Sequence, residues 1–192
     1  MNKALEIRVE RDGVVADGEI LKVDSFINHQ VDPSFLNLAG REFFARFKNE
    51  GITKILTIEA SGIAIAAIAA QYFDVPFVFA KKMESLNLDP DTFETDVFSY
   101  TKGKGYKVRV AKKFLTADDK ILILDDFLAR GEAALGLVRL CRQAGAKVGG
   151  IGILIEKSFQ EGAGRIEQED IRLESLVRIA GFEDGKVIFK QD

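Results

Sequence analysis

Two short runs in this chain, Ile121–Leu124 and Val148–Ile155, carry no charged or strongly polar side chain at all. A strand with one face in water alternates apolar and polar residues, so runs without alternation must be covered on both faces. Lys54–Ile58 and Val75–Ala80 are two further short apolar strands, and Tyr106–Ala111 alternates as a strand does. Between them lie stretches with helical spacing. Pro33–Asn49 has Asp32 to cap it and Pro33 in the first turn, with Phe35, Leu36, Ala39, Phe43 and Phe47 on one side and Gly51 to stop it. An Ala/Ile-rich helix runs from Ser61 to about Tyr72, and Glu132–Ala144 is a helix closed by Gly145. A last strand falls near Lys186–Lys190. Apolar strands alternating with helices predict an α/β fold, a mainly parallel sheet flanked by helices on both faces. At 192 residues with 47% hydrophobic composition, one domain spanning 1–192 can fill its own core, and no repeat or linker divides it.

Composition removes several functional classes. The chain has 27 basic and 30 acidic residues, so a broadly basic face for nucleic acid is not expected. One Cys and one His exclude a four-ligand Cys/His zinc site, and Cys141 has no internal disulfide partner. Cys141, within a helix, reads as core, and the lone His29 reads as structural. No apolar run approaches the roughly 20 residues of a membrane helix, and Met1–Arg11 lacks a signal-peptide core. The expectation is a soluble intracellular protein.

In parallel sheets, ligands bind beyond the carboxyl ends of the strands. After Ile121–Leu124 comes Asp125-Asp126-Phe127-Leu128-Ala129-Arg130-Gly131-Glu132-Ala133-Ala134. Two carboxylates, a short loop with a glycine and a helix start suit a phosphate on the helix N-terminus, with the acids on vicinal hydroxyls such as a ribose offers. The plainer reading is exposed acids and a helix cap. Glu59-Ala60-Ser61-Gly62 joins a strand to the Ala-rich helix, where small residues admit an anion; an ordinary helix start capped by Ser61 is the alternative. Lys81 and Lys82 follow the strand Val75–Ala80 and suit a diphosphate, or are simply solvated. Residues 83–105 have weak periodicity and read either as a mobile lid, with Ser99-Tyr100-Thr101-Lys102 at its tip, or as an exposed hairpin.

Four segments together resemble a known family. Leu21-Lys22-Val23-Asp24-Ser25-Phe26-Ile27-Asn28-His29-Gln30, Glu59-Ala60-Ser61-Gly62-Ile63, Asp125-Asp126-Phe127-Leu128-Ala129 and Ile155-Glu156-Lys157-Ser158-Phe159 are similar, in order and spacing, to the purine/pyrimidine phosphoribosyltransferases, most of all to the bacterial branch acting on xanthine. The resemblance implies the type I phosphoribosyltransferase fold, with a small hood from about 1–32 and 156–192. It implies transfer of a 5-phosphoribosyl group from 5-phosphoribosyl 1-diphosphate (PRPP) to xanthine, giving xanthosine 5′-monophosphate and pyrophosphate in purine salvage. Mg²⁺ accompanying PRPP and held largely by substrate and water, a homodimer and a cytoplasmic location are implied as well; apolar residues of the Pro33–Asn49 or Ile63–Tyr72 helices are the candidates for the dimer interface. By the same resemblance Asp125 and Asp126 are catalytic, and Ala129, Arg130, Gly131, Glu132 and Ala133 bind PRPP. It also implies that Ala60, Ser61, Gly62, Lys81 and Lys82 bind pyrophosphate and that Leu21, Asn28 and Lys157 bind xanthine; the residues themselves add Ser99 and Tyr100 as candidates over the pyrophosphate and Phe159 as a candidate against the base, one Phe among fifteen being more often core. Lysine suits a base with two carbonyls that readily loses a proton. Asn28 suits the mixed edge of a purine, Leu21 offers packing or a backbone contact, and Phe159 offers a stacking face.

The chain departs from the wider superfamily's Thr-Gly-x-Thr at Arg130-Gly131-Glu132-Ala133. Hydroxyls are absent there, so backbone donors carry most of the phosphate binding; Arg130 adds charge and Glu132 opposes it. Two other readings stand beside xanthine transfer. One is a transferase for guanine, hypoxanthine or adenine, although Lys157 sets a donor against the amine of adenine. The other is a PRPP-sensing regulator without catalysis, which the negative charge and the short segment ahead of Leu21 disfavour.

Overall fold

The computed structural model describes residues 3–16, 20–82, 91–99 and 103–191, Ser99 by its backbone alone. Along the chain come α1 (Lys3–Asp12), the hairpin β1 (Val14–Ala16) and β2 (Ile20–Lys22), and a turn of π-helix at Asp24–Asn28. There follow α2 (Pro33–Phe47), β3 (Lys54–Ile58), α3 (Ser61–Phe73), β4 (Phe77–Lys82), β5 (Thr92–Ser99), β6 (Lys104–Ala111) and β7 (Lys120–Leu128). The rest is α4 (Glu132–Ala144), β8 (Lys147–Lys157), α5 (Gly162–Glu167), β9 (Leu173–Glu183) and β10 (Lys186–Phe189). Eight strands form one sheet in the order β10-β9-β8-β7-β3-β4-β6-β5. β9, β8, β7, β3 and β4 run parallel, and the strands at both edges join antiparallel.

The apolar runs are buried on both faces, as their lack of alternation requires. Ile121 and Ile123 pack toward Leu137, Val138 and Leu140 of α4, while Leu122 and Leu124 pack toward α2 and α3. Glycines of β8 let α2 come close: side chains at Gly150 or Gly152 would strike Phe47 at 2.4 Å or Phe43 at 2.8 Å. Cys141 is fully buried, and burial pushes its thiol up to about 12. The chain's two ends meet on the α2 side of the sheet, where Leu5, Val9, Leu21 and Phe26 share a core with Ile179, Phe182 and Val187.

Several elements differ from the sequence expectation. β7 continues through Asp125 and Asp126 to Leu128, and β8 ends on Lys157 itself, so the acids and the lysine stand on strands rather than beyond them. α1 and β9 are additional elements, as is the β1–β2 hairpin. Part of the stretch 83–105 is a regular ribbon: β5 pairs with β6 from Thr92↔Ala111 to Ser99↔Lys104. Arg139 of α4 straps it, donating to Thr95 Oγ1 at 2.9 Å and to the Asp96 carbonyl at 2.8 Å. Residues 83–90 and 100–102 lie outside the described residues. The apolar faces of α2 and α3 are turned largely to each other and to the sheet, with Leu38, Phe44, Ile63, Ile68, Tyr72 and Phe73 partly exposed.

Asp32 caps α2 as its position predicts, accepting from Ser34 N at 2.9 Å and Phe35 N at 3.2 Å, and it also pairs with Arg8 at 2.7 Å. The hydrogen bond from the Phe35 amide, then that of Ser34 and the charge of Arg8, hold its carboxyl below the ordinary range. Asp32→Ala is expected to cost about 1 kcal/mol in chemical denaturation. A lowered folded pKa contributes stability above the ordinary carboxylate range and loses it as pH falls, so the variant's deficit should shrink in acid.

Candidate active site

β3 connects onward to β4 on one side of the sheet, whereas β7 connects to β8 on the other. The crevice between their carboxyl ends is the switch point at which such folds bind ligands. Glu59–Gly62 enters it at the β3–α3 junction and Asp125–Gly131 at the end of β7. The two segments lie close: a Cβ at Gly62 would strike Thr57 Oγ1 at 2.0 Å, so only glycine fits there, and it would come within 3.4 Å of Asp125 Oδ1. The Glu59–Ala60 peptide is cis, and Ala60 is exposed at the start of α3, with Ser61 partly buried beside it. Ser61 forms no side-chain cap; it is the helix's first residue.

Asp125 is 5% exposed and Asp126 half-buried. The Asp126 amide donates to Asp125 Oδ1 at 3.0 Å. Burial first, then the charge and carboxyl contact of Asp126, hold the Asp125 carboxyl well above the usual range, and Lys82 pulls the other way. Tyr106 belongs to the same group. Burial and then the Asp125 charge raise its phenol, and Lys82 Nζ lies 5.4 Å from its ring centroid. The lysine pair is thereby split. Neighbouring strand residues point to opposite faces, and Lys81 lies 5.8 Å from the Phe79 ring instead. Lys82 is the one of the two whose charge acts on Asp125. Its amide also donates to the carboxylate of Glu59, which ties the β3 loop to the end of β4.

Beyond the acids, Gly131 adopts φ +82°, the left-handed conformation glycine tolerates, and turns the chain into α4. No side chain caps α4, so its first N–H groups remain available to a ligand. Ala129, Arg130, Gly131, Glu132 and Ala133 line a cavity of about 510 Å³, shared with Tyr106, Lys157, Phe159 and Ile20. Glu132 does not oppose Arg130 alone: its Oε1 pairs with Arg165 at 2.7 Å.

The far end of the cavity is aromatic and basic. Phe159, 46% exposed, meets Phe182 edge to face at 5.8 Å, and Lys157 Nζ lies 5.9 Å from the Phe182 centroid. Glu156 anchors this strand end. It is 3% exposed and receives the hydroxyls of Ser158 and, at 2.5 Å, Ser175. Leu21 is 6% exposed and spent on the core, so its side chain cannot pack on a base; the adjacent Ile20 reaches the cavity. Asn28 is exposed on the π-turn and is not among the cavity's lining residues; His29 is exposed beside it. Ser99 ends β5, and Tyr100 lies outside the described residues. Neither spacing nor motif singles out Tyr106 or Ile20, the alternation of β6 being the available signal for the first, and Glu156 stands in a matching segment without an assigned role.

A parallel sheet with acids at one strand end, an uncapped glycine-led helix start and a basic aromatic wall together make an α/β domain with a polar crevice at its switch point. The family model for the phosphoribosyl transferase domain matches residues 34–184, and the chain belongs to that family. It is 56% identical over 97% of its length to xanthine phosphoribosyltransferase of Clostridium novyi (98% of that protein). It is 55% identical over 98% of its length to the protein of the same name from Clostridioides difficile (100% of that protein). Among solved structures, adenine phosphoribosyltransferase of Giardia lamblia, complexed with 9-deazaadenine, has TM-score 0.69 and 31% identity over 76% of this chain and 80% of that one. The adenine enzyme of Rhodothermus marinus has TM-score 0.76 over 93% and 100%, at 22% identity, a likeness of fold.

Proposed function

We propose that this chain transfers the 5-phosphoribosyl group of PRPP to xanthine, forming xanthosine 5′-monophosphate and pyrophosphate. The observation carrying this reading is that the uncapped α4 start and Lys157 line one cavity with Tyr106, whose phenol feels the charge of Asp125 at the end of β7. The relatives named for the xanthine reaction, at over half identity across the chain, support it. The two acids take the ribose hydroxyls, and the 129–133 loop takes the 5′-phosphate. Ala60–Gly62 and Lys82 face the diphosphate, with Ser99 and Tyr100 as its cover. Lys157 meets the carbonyl edge of the base and Phe159 its face, while Leu21 contributes backbone only and Asn28 the opposite edge.

In the reaction the anomeric C–O bond breaks with its electron pair leaving on pyrophosphate, and a xanthine nitrogen forms the new C–N bond. Positive charge develops on the sugar, where the half-buried Asp126 and its neighbour stabilise it. Xanthine sheds a proton readily, and the Lys157 ammonium stabilises the resulting anion. The protein's part is orientation and exclusion of water. The available donors are one buried carboxyl with an oxygen already engaged and one half-buried carboxylate. They suit a Mg²⁺ that takes most ligands from substrate and water; when bound it supplies neutralisation of the diphosphate. The hood formed by the joined chain ends, a homodimer and a cytoplasmic location belong to the same reading; among the described residues no helix is long and apolar enough to cross a membrane.

A panel of xanthine, guanine, hypoxanthine and adenine with PRPP, followed by pyrophosphate release, tests the assignment. Xanthine is expected to give the highest kcat/KM. Adenine preference, the specificity in the names of the structural neighbours, would place the chain in that branch instead. PRPP binding without turnover on any base would favour the regulator.

A further inference from the structure

The phosphate loop of this chain carries an acid, Glu132, at the first residue of α4. A carboxylate there is attracted by the helix's own N-terminal amides. Left unpaired, it competes for the N–H groups that a phosphate needs and adds a like charge beside it. The structure shows where that carboxylate goes. Arg165 of α5 uses one nitrogen, Nη1, to reach both Glu132 Oε1 and the Arg130 carbonyl, each at 2.7 Å.

α5 grips the loop at a second point. The Gly162 amide donates to the Ala129 carbonyl at 3.0 Å, and a Cβ at Gly162 would lie 2.5 Å from that oxygen and 3.0 Å from Gly131 N. Two successive loop carbonyls, those of Ala129 and Arg130, therefore accept from the α5 segment, and the Gly131 carbonyl accepts from Leu135 N of α4 at 2.9 Å. Engaged in this way, the carbonyl oxygens are kept off an incoming anion. Arg165 is not among the residues lining the 510 Å³ cavity; it lines a separate recess with Leu135, Val138 and Arg142. Whatever it does for the substrate, it does through the loop.

We propose that Arg165 is a positioning residue for PRPP, holding the 129–132 loop by the Arg130 carbonyl and neutralising Glu132 so that the α4 N-terminus accepts the substrate's phosphate dianion. This rests on the loop being the PRPP phosphate cradle. With the Glu132 and Arg165 side chains 20% and 33% exposed, the pair is only partly screened by solvent. Arg165→Gln is expected to raise KM for PRPP about tenfold while kcat and KM for xanthine stay within about twofold.

The test is a double-mutant cycle of Arg165→Gln and Glu132→Gln, read as KM for PRPP, with Gly131→Val as a control on the cradle and circular dichroism on folding. The proposal predicts a coupling of about tenfold, Glu132→Gln relieving most of the loss caused by Arg165→Gln. A normal KM in Arg165→Gln, or a loss that Glu132→Gln does not relieve, overturns it while a raised KM in Gly131→Val leaves the cradle standing. A normal KM in Gly131→Val, a residue at φ +82° lying 3.3 Å from Gly162, overturns the cradle and this proposal with it. Should Arg165→Gln fail to fold, Arg165→Lys enters the cycle in its place: one ammonium can still serve both acceptors, and a KM close to the wild-type value is expected, with a tenfold rise overturning the proposal.

Discussion

Replacing Asp125 and Asp126 together by asparagine is expected to lower kcat about a thousandfold with xanthine and PRPP while the protein stays folded. The acids stand at the end of β7 against Gly62, where the sugar's developing positive charge would sit, and pre-aligned charge in a part-buried site is worth several kcal/mol to a transition state. Stability should move the other way. Burial and Asp126 hold the Asp125 carboxyl above its ordinary range, so the folded state resists its ionisation. For an acid shifted upward, stability falls as pH rises from the ordinary carboxylate range through the folded value, and the penalty is absent in acid. Asp125→Asn alone should thus raise the unfolding midpoint at neutral pH by about 2–4 °C, the shift that about 1 kcal/mol produces at this size, with the gain vanishing near pH 3. Unimpaired turnover in the double variant would remove the acids from the mechanism.

Lys157→Ala is expected to cost about a hundredfold in kcat/KM for xanthine and much less for hypoxanthine. The difference follows from the base: xanthine presents a second carbonyl and the greater tendency to become an anion, and a hydrogen bond to a charged group is worth about 1.5–3 kcal/mol. The lysine ends β8 beside Phe182, on a strand terminus held from below by Glu156 with Ser158 and Ser175. Such a site is rigid enough for loss of one ammonium to be felt as specificity. Steady-state kinetics on the two bases read it. Equal losses on both would assign Lys157 to PRPP or to the fold.

Elements whose burial is complete could be read from the chain. Ile121–Leu124, the capped start of α2 at Asp32 and the Gly145 stop of α4 each announce themselves by a local pattern, and the structure has them there. α1 could not, because only Leu5 and Val9 of a charged stretch are its buried apolar residues. β9 was hidden by Glu174 and Arg178, which interrupt its apolar run yet pair with Arg46 and Glu156. In the site, the acids and the glycine-led loop were visible as a motif. The separation of Lys81 from Lys82 was not, because it depends on β4 continuing two residues further to pair with β6. Nor was the burial of Leu21, which depends on the two chain ends packing together. Arg165 was out of reach of any local pattern, lying 33 residues beyond Glu132.

The most direct measurement mixes the protein with Mg²⁺, PRPP and xanthine and quantifies both products by chromatography. Xanthosine 5′-monophosphate and pyrophosphate should appear in a one-to-one ratio, at a rate proportional to protein, and neither should form when PRPP is left out. Well-folded protein that yields no nucleotide from xanthine under these conditions, or yields it faster from another purine, would contradict the account.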